Sequence, residues 1–188
     1  MPPAHQVFKR KLSKDFQAVS TVVESEFKDL SYEELNWKPN AQSWSIGQCL
    51  HHLIVSNESY FSMFEQIQNG TYKTRFWERI SPFTGFFGHQ LLKSMQNTGR
   101  KLKVPLVFMP SSSDVPADIV IQFLQHQEKL MEHLRRIPPE HLRKKVTSPA
   151  SKFVTYRLEK LWRILVAHEI RHTLQARAVL QNKKSTAS

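Results

Sequence analysis

The sequence predicts an all-α protein: a four-helix bundle with one long crossover between its second and third helices. Three observations carry this. Apolar residues recur at steps of three and four in long segments, the pattern of a helix with one buried face. Only 5 glycines occur in 188 residues, which disfavours a turn-rich β chain. The segments are separated by clear stop signals, among them Asn69-Gly70 and Pro138-Pro139.

The first helix is expected over about residues 6–30, where Phe8, Leu12, Phe16, Val19, Val23, Phe27 and Leu30 form the stripe. A short turn with Ser31 as cap and Glu34 in the box position follows, ended by Pro39. Ser45 with Gln48 gives a second capping box, opening a helix over about 46–68. The crossover then runs to about Pro116, punctuated by Pro82, Pro105 and Pro110, with a short helix expected over 83–95. A third helix is read over about 116–137, with a stripe of Val120, Phe123 or Leu124, Gln127, Leu130 and Leu134. A basic loop over 140–152 leads to a last helix over about 155–181, and 182–188 reads as a flexible tail. No repeat or linker divides the chain, so residues 1–188 form one domain.

The last helix holds the most informative stretch. Its inward seam reads Leu161, Leu165, His168, His172, Gln175 and Val179. Two imidazoles at i and i+4 share one helix face and can reach one point beside it. Two buried polar rings need partners, and a metal ion would supply them. The same residues spell His168-Glu169-Ile170-Arg171-His172, the HExxH pattern of zinc proteases. The sixteen residues after His172 contain no His, Glu or Asp, and Ala178 stands where an extended motif wants His. A third ligand is therefore sought upstream rather than in a protease motif. On the second helix His52 lies beside the apolar stripe, and His51 is rotated about 100° away. Glu169 is similarly off the ligand face, and Cys49, one turn before His52, reads as a small core residue or a reactive thiol. Trp44 and Trp162 read as core; His89, His126, His133 and His141 read as exposed or incidental.

The opening Trp44-Ser45-Ile46-Gly47-Gln48-x-Leu50-x-His52-Leu53, the long crossover and the terminal His168-x-x-x-His172-x-x-Gln175 together resemble the DinB-like superfamily. The resemblance implies an up-down-down-up bundle, commonly dimeric, with a divalent metal on three histidines, which by position are His52, His168 and His172. Three imidazoles with open positions suit zinc or nickel in catalytic use. The implied activity is that of a small-molecule hydrolase or a low-molecular-weight thiol transferase. A non-catalytic dimeric bundle that binds a small ligand or serves a stress response is the alternative. Gln175, Glu169 and Cys49 are the candidates for groups behind the ligands or facing a substrate. Metal affinity should fade as the rings protonate, around pH 6 to 7 for ordinary imidazoles.

The net charge of +11 is spread over the chain, and no zinc-finger spacing or long basic tract accompanies it, so nucleic acid is not an expected partner. No apolar run is long enough to span a bilayer and no signal core opens the chain, so no membrane partner is expected. A lone Cys49 fits a reducing, cytoplasmic setting.

Overall fold

A computed structural model describes residues 3–97, 108–109 and 114–186, the side chain of Lys152 apart. Pro105, Pro110 and the Ser111-Ser112-Ser113 stretch of the crossover lie outside the described residues.

The fold is predominantly helical. Helix α1 (Ala4–Phe27) buries Leu12, Phe16, Val19, Val23 and Phe27, the stripe its spacing predicts. The short α2 (Tyr32–Asn36) has its full capping box: Ser31 Oγ accepts from Glu34 N–H, and Glu34 Oε2 accepts from Ser31 N–H at 3.0 Å. Helix α3 (Ile46–Glu58) is capped the same way by Ser45 and Gln48, with both bonds buried. Gly47 is required there, because a Cβ would stand 2.0 Å from Val115 Cγ2. The predicted second helix is interrupted. After a turn at Ser59 and Tyr60 the chain restarts as α4 (Phe61–Gln68), and Asn69 and Gly70 stop it, the glycine at φ 70°.

Within the crossover lie α5 (Phe76–Ile80) and α6 (Thr84–Gln96), the latter close to its expected range. Helix α7 (Ile119–Arg136) buries Val120, Phe123, Gln127, Leu130 and Leu134; of the two alternatives Phe123 is the fully buried one. Its C-terminal carbonyls are met by Lys9 of α1, whose Nζ donates to Arg135 O and Ile137 O, a favourable place for a cation.

Three expectations fail after Pro138. The basic loop is a 3-10 turn (Pro139–Arg143) followed by an antiparallel hairpin, β1 (Lys145–Ser148) and β2 (Ser151–Arg157). Val146 pairs with Tyr156, and both are fully buried; Thr147 pairs with Thr155 on the other face. Thr155 is therefore strand, and α8 (Leu158–Thr186) starts three residues later. Residues 182–186, expected as a tail, continue that helix.

Helices α1 and α3 each pack on α7 and α8, while α6 lies on β2 and α8. The buried apolar residues divide into two clusters. One gathers Phe16, Tyr60, Phe64, Leu130, Tyr156, Trp162 and Leu165. The other gathers Val19, Phe27, Leu50, Leu53, Phe123, Ala176 and Val179. Between them, on three helices, runs a layer of buried polar side chains: His52, Ser56 and Asn57 on α3, His126 and Gln127 on α7, and Glu169, His172 and Thr173 on α8.

Candidate metal centre

The polar layer holds the three histidines. His52, on α3, and His168 and His172, on α8, each offer a ring nitrogen, and these atoms lie within 4.8 Å of one another. His52 Nδ1 lies 2.5 Å from the Phe108 carbonyl oxygen, which can only accept, so Nδ1 carries the proton. That leaves the Nε2 lone pair facing inward, 2.9 Å from His168 Nε2. A backbone carbonyl thus sets the tautomer that a ligating imidazole needs. His51, on the same helix, is outside the group.

Trp44, read from sequence as core, serves as a wall of this site. Its ring stacks on His172 at 5.5 Å and 21°, and packs on His52 at 4.9 Å. His52 and His172 are nearly inaccessible, whereas His168 is partly exposed.

Burial disfavours charged rings. It pushes His52 down to about 4, against the Phe108 hydrogen bond, which favours the charged form. His172 is pushed down to about 3, by burial first and then by His52 and Arg171; the Gln175 side chain opposes the shift without making a hydrogen bond of ordinary geometry. His168 lies well below the usual imidazole range, again through burial first and its two neighbours next. The rings are neutral at pH 7, the form that ligates. The window expected at pH 6 to 7 accordingly moves lower. Buried His172 Nδ1 has no hydrogen-bond partner, an orphan that an orienting group or a ligand role would explain.

The other candidates fall elsewhere. Cys49 is fully buried in the second apolar cluster, and burial pushes its thiol far up, so it is neither ligand nor reactive thiol. Gln175 is exposed rather than on the seam. The reason is helical drift: the buried stripe of α8 follows a 3.6-residue period through Leu165, Glu169, Thr173 (beside His172), Ala176 and Leu180. That stripe is centred on Glu169. His168 sits on its flank, and Gln175 falls outside it.

Glu169 faces the interior of the polar layer. Its Oε1 accepts from Asn57 Nδ2 and its Oε2 from Gln127 Nε2, both at 2.8 Å. Burial pushes its carboxyl up to about 8, against these two hydrogen bonds. No Asp, Glu or Cys joins the three histidines among the described residues. The tie from Glu169 to α3 and α7 holds the turn of α8 that carries His168 and His172.

Asn57 and Gln127 had no functional signal of their own in sequence beyond Gln127's place on an apolar stripe. His126, read as incidental, is buried and stacked on Phe61 at 5.2 Å and 4°. Its Nδ1 is 3.7 Å from Glu58 Oε1, and neither ring nitrogen has a hydrogen-bond partner.

No curated protein and no solved structure matches the chain. The family model described as the DinB superfamily matches residues 15–176, which span α1 from its middle, α3, the crossover, α7 and α8 through the histidine pair. With that match over most of its length, and with histidines converging from α3 and α8, the chain belongs to the DinB superfamily.

Proposed function

We propose that this protein is a metal-dependent enzyme in which His52, His168 and His172 hold a divalent ion, zinc or nickel, and that it transfers a low-molecular-weight thiol to a small electrophile. Divalent metal binding is usual in the superfamily. The observation that carries the reading is the convergence of three neutral imidazole nitrogens within 4.8 Å in a buried layer. The donor set fits the ion: three nitrogens and no protein thiolate, which leaves room for an exogenous ligand. A divalent ion held there supplies Lewis acidity, which lowers the pKa of a thiol or a water.

The chain's own residues supply the rest. Phe108 O holds the His52 ring, Trp44 covers His52 and His172, and the Glu169 tie fixes the turn of α8 that carries the other two. Arg171 lies close enough to His168 and His172 to disfavour their charging, so it brings positive potential to the site. That favours an anionic thiol. Hydrolysis, the second reading, asks for a general base beside the water. Glu169, the carboxylate nearest in sequence, is bound to Asn57 and Gln127 instead. Thiol transfer is therefore preferred. The same reading extends to the family's up-down-down-up four-helix bundle and its dimer.

The test is elemental analysis of purified protein beside His52→Ala and His168→Ala variants, followed by assays of the loaded protein. Thiol consumption with a haloaromatic electrophile and hydrolysis of chromogenic esters are measured side by side. The expected result is near-stoichiometric zinc or nickel, lost in both variants, with thiol transfer exceeding ester hydrolysis. Metal retained in both variants would refute the site.

A further inference from the structure

One surface is left over by the site. Helix α5 and the start of α6 sit on the outer face of the hairpin. Thr147 and Thr155, cross-strand partners on that face, bond to Glu78 of α5 and to Ser81 and Thr84. The opposite face of the hairpin, with Val146 and Tyr156, is turned to the core. The sides of α5 and α6 away from the hairpin therefore form an outer layer. Phe76 (67% exposed), Ile80 (51%), Phe83 (58%) and Phe86 (57%) lie there in the open. Trp77 joins Phe76 to exposed Phe153 of the hairpin, with ring centroids 5.6 and 5.3 Å apart. Large apolar side chains gathered in the open mark a contact surface, whereas scattered ones need no explanation.

The charge around this layer has one sign. Between Gly70 and Asn97 the sequence carries Lys73, Arg75, Arg79 and Lys93, against one acid, Glu78. Glu78 is buried, accepting from Thr147, Tyr72 and the Arg75 N–H. Lys73, Arg75 and Arg79 are exposed next to the aromatic residues. The hairpin itself, Lys145 to Arg157, has no acidic residue.

Exposed aromatic and aliphatic side chains ringed by cations are the chemistry of a protein that rests on an anionic lipid surface. Rings enter the headgroup boundary while Lys and Arg meet the negative surface. We infer that the α5–α6 face is a peripheral docking surface for anionic membranes. This differs from a membrane span, and no helix among the described residues is long and apolar enough for one. A second copy fits the face less well: a two-fold contact would set these cations against themselves, and the one acid of α5 and α6, Glu78, is buried. Single-stranded nucleic acid also uses rings and cations. It offers no counterpart to the exposed aliphatic side chain of Ile80, which favours lipid.

The experiment uses the full chain with two kinds of vesicle, pure phosphatidylcholine and an equal mixture with phosphatidylglycerol. The expected result is cosedimentation with the mixed vesicles only, weakened by salt. Affinity should drop by roughly tenfold or more in a Phe76→Ser, Phe83→Ser, Phe86→Ser variant and fall severalfold in Lys73→Gln, Arg79→Gln. Unchanged melting temperature and metal content would show that these variants still fold. On the unmutated chain, lipids with brominated acyl chains should quench fluorescence that disappears in Trp77→Phe. No binding to the mixed vesicles, or equal binding by the aromatic variant, overturns the proposal. So does a concentration-dependent dimer, or an oligonucleotide complex, that uses these residues while vesicles are ignored.

Discussion

His126 and the histidine triad occupy the same polar layer, and the two differ in one respect. His52 and His126 are equally buried, and burial depresses both to about 4. His126 faces a phenylalanine ring, and nothing accepts or donates at either nitrogen. His52 has one nitrogen fixed by a carbonyl and the other aimed at a second imidazole. A depressed pKa follows first from burial and does not by itself mark a site. Convergence of lone pairs is what distinguishes a site.

The sharpest way to break this comparison is to remove one ring from each place. His168→Ala should weaken zinc or nickel binding by about 100-fold or more, read by competition with a chromogenic chelator. His126→Phe should leave that affinity within about twofold. It should also raise the melting temperature, because replacing a partnerless buried polar group by an apolar one of similar shape stabilises by about 1 kcal/mol. Equal metal loss in both variants would erase the distinction.

The metal-free protein offers a second test through pH. Unfolded, each histidine titrates near 6.5; folded, His52 and His126 do so near 4 and His172 near 3. The stability they contribute is full above 6.5 and lost as pH falls through the folded values, at up to about 1.4 kcal/mol per pH unit for each ring. Glu169 acts in the opposite sense. Its pKa rises from 4.5 to about 8, so its contribution is full below 4.5 and lost as pH climbs to 8. Three rings outweigh one carboxyl on the acid side, so the melting temperature should peak near pH 6.5. Glu169→Gln should flatten the alkaline limb and steepen the acid limb between pH 6.5 and 4.5, where the carboxyl offsets part of the histidine loss. A steady rise through pH 8 in the unmutated protein would contradict the buried carboxyl.

The smallest effect is expected at Gln175. It is exposed and makes no ordinary hydrogen bond to His172, so Gln175→Ala should change metal affinity by less than about threefold. A tenfold loss would place Gln175 among the groups that hold the ion.

These contrasts also show what the sequence made legible. The i,i+4 pair His168 and His172 could be read from helical geometry. His52 could be set apart from His51 by its place beside the apolar stripe, and the family pattern pointed the same way. The capping boxes at Ser31 and Ser45 were readable because each uses residues three apart. The hairpin escaped notice because its strands are short and its lysines and arginines read as loop, although Val146, Val154 and Tyr156 already alternate with Thr147 and Thr155. Gln175 was misplaced, and Glu169 was left open between a group behind the ligands and the surface. A seam drawn through the histidines ignores the drift of a straight helix, and over α8 that drift puts the carboxylate inside and the amide outside. Asn57 and Gln127 become meaningful only once three helices bring them to the same carboxyl.

The group that orients His52 is a main-chain carbonyl, that of Phe108. Every amino acid brings that oxygen, so the bond to His52 does not depend on the side chain at position 108 itself. It is sensitive instead to the length of the crossover. An insertion or deletion there would carry a different carbonyl, or none, to His52 Nδ1. Changes in the length of the crossover should therefore disturb His52 more than a change of side chain at position 108 does.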